Sequence, residues 1–195
     1  MPDQTAGEMF RPIIPKPDLD ARVAAMGAEL LDRYGGRAVT TVTMLSGAAI
    51  FTADLLGHMQ GADVNMQFLK TASYSGTTRG EHVDVSAGIL DPKSIAGHDV
   101  LLIDDILDSG HSLHVALALI NAYEPRSVAT CVLLKKIGTQ IEPYPDDADY
   151  VGFEIDDLFV IGYGMDYDNR YRNLRYIAEF DQGIHDRLQE RIRSA

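Results

Sequence analysis

The stretch that most constrains this chain is VLLIDDILDSGHSL, residues 100–113. Its four leading apolar residues, 100–103, read as a short strand buried on both faces, the pattern of a parallel sheet. Asp104 and Asp105 fall where that strand is expected to end. Beyond Ile106 and Leu107 come Asp108 and a turn of small residues, Ser109, Gly110, His111 and Ser112, before a helical run over 113–120. In open α/β sheets ligands bind outside the carboxyl ends of the strands. A small-residue turn opening a helix, with Ser112 placed to cap it, presents main-chain N–H groups as a cradle for phosphate. Carboxylates for hydroxyls or a cation, set beside a phosphate cup, suit a sugar phosphate.

The flanking sequence supports the same architecture. Residues 18–34 carry apolar side chains at helical spacing, with Asp18 as the expected cap and Gly35-Gly36 as the stop. Strand patterns cover 38–45, 64–70, 82–88 and 127–134, and a second helix covers 48–59. Residues 135–149 read as a long loop whose acids, Asp146, Asp147 and Asp149, are solvated charge. Short strands at 150–153, 158–161 and 174–177 precede a closing helix at 179–193. Strands alternating with helices predict an α/β fold with a doubly wound, mostly parallel sheet. The late short strands would form a small hood over its carboxyl edge. The whole chain, 1–195, reads as one domain preceded by a proline-containing arm at 1–17.

Bulk properties narrow the partners. A net charge of −12 disfavours a nucleic-acid footprint and attachment to an anionic membrane surface. No apolar run is long enough to span a bilayer, and there is no leader-like segment, so a cytoplasmic location is expected. The single cysteine, Cys131, sits in an apolar strand and excludes an internal disulfide. His111 and His114 lack a third ligand for a metal, and Gly162-x-Gly164 lacks the third glycine of a dinucleotide fingerprint.

Five ordered segments resemble the type I phosphoribosyltransferases, and among them the hypoxanthine(-guanine) branch. They are LSG at 45–47, SY at 73–74, the motif at 100–113, LLKK at 133–136 and LFVIGYGMDYDNRYRNL at 158–174. The resemblance implies transfer of the phosphoribosyl group from phosphoribosyl pyrophosphate (PRPP) to a 6-oxopurine, hypoxanthine first and guanine next, releasing pyrophosphate. It implies that Asp104 and Asp105 hold the ribose hydroxyls directly or through Mg2+, with Asp166 holding a second Mg2+. The turn Ser109, Gly110, His111 and Ser112 would take the 5′-phosphate, and Ser46, Gly47 and Arg172 the pyrophosphate. Asp108 would be the general base facing N7 of the purine. Lys136 would donate to the 6-oxo group, Phe159 would stack on the ring, and the Val160 main chain would read its edge. Ser73 and Tyr74 would open a flap over the reacting centre. A homodimer or homotetramer is implied as well.

The chain departs from the family's pattern at three places, the mildest being Asp104, one methylene shorter than the glutamate that often opens the acid pair. Ser46 stands where many relatives carry a basic residue, and His111 replaces a commoner lysine in the phosphate turn, where it would add pH dependence near neutrality. Two other readings compete: a nucleotide-sensing regulator on the same fold, and a transferase for another base such as adenine, orotate or uracil.

Overall fold

The computed structural model describes residues 10–73, 83–86 and 90–194. Its centre is a six-stranded sheet. In chain order these strands are β2 (Ala38–Leu45), β3 (Asp63–Ser73), β4 (Val83–Ser86), β5 (Asp99–Leu107), β6 (Ser127–Lys136) and β7 (Tyr150–Ile155). Their spatial order is β4-β3-β2-β5-β6-β7. Five run parallel, and β4 pairs antiparallel with β3 at the edge.

The two faces of the sheet follow from alternation along β5. Leu101 and Ile103 face a core with α1 (Lys16–Tyr34) and α2 (Ala49–Gly57), through Leu19, Val23, Leu30, Phe51 and Leu55. Val100 and Leu102 face the other side, where Leu113, Ala116 and Ile120 of α3 (His111–Asn121) pack. Each strand residue thus buries its side chain on one face or the other, which explains the unbroken apolar run. Cys131 lies in the first core, and burial pushes its thiol up, as for an inert apolar side chain.

A second, three-stranded antiparallel sheet forms the hood. It joins β1 (Pro12–Ile14), β8 (Val160–Ile161) and β9 (Ile177–Glu179) in the order β1-β9-β8. Behind it, α4 (Gln182–Ser194) offers Ile184 and Leu188 to Phe10, Ile161, Leu174 and Ala178. No helix among the described residues is long and apolar enough to cross a membrane.

Several local expectations are corrected. Within the expected arm, residues 12–14 form an edge strand on β9, a position where proline's missing N–H is tolerated, and α1 already begins at Lys16. Asp18 lies in the first turn of α1 rather than capping it; Pro15 is at the cap and makes no side-chain bond. The strand expected to stop at residue 103 continues through the acids to Leu107, because Ile106 and Leu107 go on pairing with Leu134 and Lys135. β6 lengthens in step and carries Lys136 at its end. The last strand is β9 rather than 174–177, and α4 begins at Gln182 rather than 179. Two of the acids expected to be merely solvated have partners. Asp149 accepts from the main-chain N–H and the hydroxyl of Thr130, at 2.8 and 2.9 Å, and Asp147 pairs with Lys135 at 3.0 Å.

Candidate active site

The acidic end of β5 is the foundation. Asp104 is almost fully buried, Asp105 is half-buried, and the Asp105 N–H donates to Asp104 Oδ1 at 2.9 Å. Burial, reinforced by the adjacent charge of Asp105, pushes the Asp104 carboxyl well above the ordinary range. Burial also raises Asp105, against the lowering effects of its hydrogen bonds and of Arg172. Two carboxylates so placed favour the arrival of a cation or of hydroxyl donors.

The chain then turns into α3. Gly110 occupies the N-cap with φ +84°, and a Cβ there would come within 2.3 Å of the Pro145 carbonyl oxygen. Glycine is therefore required twice over, by conformation and by space. The His111 N–H donates to Ser109 Oγ at 3.4 Å, and the His111 ring stacks on Tyr144 with centroids 4.7 Å apart. Contrary to the expectation from sequence, Ser112 does not cap the helix. It is the second helical residue and lines the cavity in front of the turn. The first-turn amides of α3 have no intrahelical acceptor and are available to an anion bound before the turn.

That cavity has a volume of about 380 Å³. Ser46 and Gly47 border it, as do Lys70, Asp104, Asp105, Asp166 and Arg172. The Leu45–Ser46 peptide is cis. Gly47 is in tight contact with Asp105, since a Cβ on Gly47 would sit 1.9 Å from Asp105 Oδ2. From above, the loop after β8 closes on the same place. Gly162, Tyr163 and Gly164 all have positive φ, and a Cβ on Gly164 would lie 2.0 Å from the Gly47 carbonyl oxygen. The buried Tyr163 hydroxyl donates to Asp54 Oδ2 on α2 at 2.7 Å, which ties the hood loop to the helix following Ser46-Gly47. Asp166 accepts from Arg172 Nη2 at 2.6 Å, and Arg172 Nη1 donates to the Gly164 carbonyl at 2.6 Å.

A second cavity of about 490 Å³ adjoins the first, sharing Asp105, Ile106 and Asp166. Asp108, Lys136, Phe159 and Val160 line it. Phe159 is 56% exposed, which is unusual for a large apolar ring and leaves its face open to a ligand. Tyr167 and Phe180 brace its edge, with centroids 6.1 and 5.7 Å away. Lys136 is buried between two carboxylates, donating to Asp108 Oδ2 at 3.0 Å and to Asp157 Oδ1 at 2.9 Å. Burial alone would lower its pKa, but the two acids outweigh it and hold the ammonium charged. The Asp108 main-chain oxygen accepts from Thr139 and Gln140, fixing the turn that presents its carboxylate.

The structure thus gathers Ser46, Gly47, Asp104, Asp105, Asp108, Ser112, Lys136, Phe159, Val160, Asp166 and Arg172 around two joined cavities, with the turn 109–111 alongside. Ser73 ends β3, and Tyr74 lies outside the described residues. Sequence reasoning missed Lys70, Asp157, Asp54 and Tyr163. Asp157 carried a faint signal in its place just before the Leu-Phe-Val segment. Lys70 carried none, because only the pairing of β3 with β2 brings it there.

The chain matches the family model described as a phosphoribosyl transferase domain over residues 15–168. It is 35% identical over 191 residues to the hypoxanthine-guanine phosphoribosyltransferase of Mycobacterium avium, covering 92% of this chain and 89% of that protein. It is equally 35% identical over 170 residues to the hypoxanthine phosphoribosyltransferase of Escherichia coli K12, covering 86% and 93%. Among solved structures, a hypoxanthine phosphoribosyltransferase from Staphylococcus aureus superposes with a TM-score of 0.81 at 31% identity, covering 90% of this chain and 93% of that one. A hypoxanthine-guanine phosphoribosyltransferase from Bacillus anthracis, with HEPES in its active site, gives 0.79 at 30%, covering 88% and 98%. By sequence and by fold, this chain belongs to the phosphoribosyltransferase family.

Proposed function

We propose that this protein transfers the phosphoribosyl group of PRPP to a 6-oxopurine, hypoxanthine first and guanine next, releasing pyrophosphate. The observation that carries the reading is the pair of joined cavities. A polar one fits a sugar diphosphate, and the other combines an open aromatic ring with a buried, charged lysine. The two cavities share Asp105, Ile106 and Asp166, and in this reading the sugar's reacting carbon lies at that boundary.

The main-chain amides at the start of α3, with Ser109, Gly110, His111 and Ser112, hold the 5′-phosphate. Asp104 and Asp105 accept from the ribose hydroxyls. Ser46, Gly47 and Arg172 meet the pyrophosphate, where Arg172's planar fork suits phosphate oxygens. The purine stacks on Phe159 with its edge along the Val160 main chain. Stacking accepts any base, so Lys136 discriminates by donating to a 6-oxo acceptor, which a 6-amino group cannot supply. Asp108, already bonded to Lys136, accepts the proton leaving N7 as the new bond forms on the other nitrogen of the five-membered ring.

The donor set also fits Mg2+. Asp104, Asp105 and Asp166 offer only carboxylate oxygens, and the buried, mutually repelling pair is relieved by a divalent cation. When bound, Mg2+ would neutralise charge on the departing pyrophosphate. A homodimer or homotetramer is the assembly we expect, to be read by sedimentation.

The test offers enzyme, Mg2+ and PRPP to each base in turn and follows nucleotide formation by absorbance. Consumption of hypoxanthine and guanine is expected. Consumption of adenine, orotate or uracil in their place, or of no base at all, would overturn the reading.

A further inference from the structure

The polar cavity is short of cations for a ligand that carries several negative charges. Three carboxylates line it, those of Asp104, Asp105 and Asp166, against two cations, Lys70 and Arg172. Arg172 is already committed, with Nη2 on Asp166 and Nη1 on the Gly164 carbonyl. Ser46, at the head of the main-chain turn that borders the cavity, brings a hydroxyl and no charge.

Lys70 differs from both. It is exposed, and among the described residues it makes no ion pair. Its position is set by strand register rather than by chance at the surface. β3 runs parallel to β2 with Lys70 opposite Leu45, so the ammonium stem springs from the strand beside the one that delivers Ser46 and Gly47. The ladder between the two strands ends at this pair, β3 itself running on to Ser73, and Lys70 lines the cavity alongside Met44, Leu45, Ser46 and Gly47.

We infer that Lys70 is a substrate-binding residue, whose ammonium contacts the pyrophosphate half of the donor across from Arg172. The inference rests on the reading of the cavity as a PRPP site and deepens it by assigning the second cation. A flexible stem suits the task, because a lysine acts on phosphate as a mobile point charge while Arg172 supplies fixed geometry.

The experiment uses the full-length chain in five forms: wild type, Lys70→Met, Lys70→Arg, Ser46→Lys and the Lys70→Met/Ser46→Lys double variant. Affinity is measured for Mg2+-pyrophosphate and for a nucleoside monophosphate, which has no pyrophosphate, together with KM for PRPP and for the base. Lys70→Met should weaken pyrophosphate and raise the PRPP KM by roughly tenfold, as expected for one charge-assisted contact at an exposed site. The monophosphate affinity and base KM should not move. Ser46→Lys should restore pyrophosphate binding in the Lys70→Met background and gain less in the wild type, since the two cations serve one anion. Lys70→Arg should retain most of the affinity and serves as the folding control.

Unchanged pyrophosphate affinity in Lys70→Met overturns the inference. So does an equal loss for the monophosphate, which would mark a general field effect, or strict additivity with Ser46→Lys. Failure of the wild type to take up PRPP at all would instead strike the functional reading beneath it.

Discussion

The contact between Gly47 and Asp105 permits a sharp prediction. Gly47 does not adopt positive φ, so alanine can take up its backbone without strain. On conformational grounds alone the replacement should stabilise the fold by about 0.4–1 kcal/mol, by restricting the unfolded chain. The added methyl, however, would sit 1.9 Å from Asp105 Oδ2 and 2.4 Å from its Cγ, where ordinary contact begins at 3.4 Å. Something must move by about 1.5 Å, and the carboxylate at the end of its own side chain is the softer partner. Displacing a substrate-positioning group by ~1 Å costs about 100-fold in rate. We therefore expect Gly47→Ala to lower kcat/KM for PRPP by about 100-fold, or ~2.7 kcal/mol of transition-state stabilisation. The melting temperature should stay level or rise slightly. Steady-state kinetics with PRPP varied, alongside calorimetric melting, checks both halves. Wild-type kinetics would show that Asp105 does not grip the donor. A large fall in melting temperature would show that the main chain yields rather than the carboxylate.

Three further outcomes follow from described contacts. Asp108→Asn should reduce turnover by about 10²–10⁴-fold with PRPP affinity nearly unchanged, because Asp157 still holds Lys136; single-turnover kinetics at saturating PRPP reads this, and a wild-type rate would remove Asp108 from the chemistry. Lys136→Met should shrink the preference for hypoxanthine over adenine, measured as a ratio of kcat/KM values, and an unchanged ratio would deny Lys136 its role at the 6-oxo group. Asp99 is held far below the usual carboxylate range, chiefly by Arg126, with burial opposing and Ser127 assisting. Because its folded pKa lies below its unfolded value of about 3.9, its stabilisation is present above that pH and fades as pH falls toward the folded pKa. Asp99→Asn should therefore melt below the wild type at pH 7, with the two curves converging on acidification. Parallel curves from pH 7 to pH 3 would contradict this linkage.

The parallel sheet and its ligand-binding edge were legible because their signals are local. A doubly buried strand such as 100–103 leaves an apolar run, and the Asp-Asp and Ser-Gly-His-Ser elements follow it within a dozen residues. The strand's true end was not legible, since acids ordinarily mark a boundary. Here Asp104 and Asp105 stay in β5 because Ile106 and Leu107 continue the ladder with β6. The edge strand β1 was hidden by its proline, Pro12, whose lost donor matters only in an interior strand. Residues that work through distant contacts left no trace of their purpose. Gly47 meets Asp105, Gly164 meets Gly47, and Tyr163 meets Asp54, each across more than fifty residues of chain. Lys70 belongs with these, being brought to the cavity by register alone.

The hood unites opposite ends of the polypeptide, for β1 begins at Pro12 and finds its partner β9 only at Ile177. During synthesis the acids of β5 and the turn into α3 can take their places once β6 has emerged, while Asp166, Arg172 and the roof that carries Phe159 and Val160 must wait for the later chain. Closing so long a loop is entropically slow. A nascent chain halted near residue 150 would own an anchor for phosphate but no receptacle for a base, so competence arrives in a single late step.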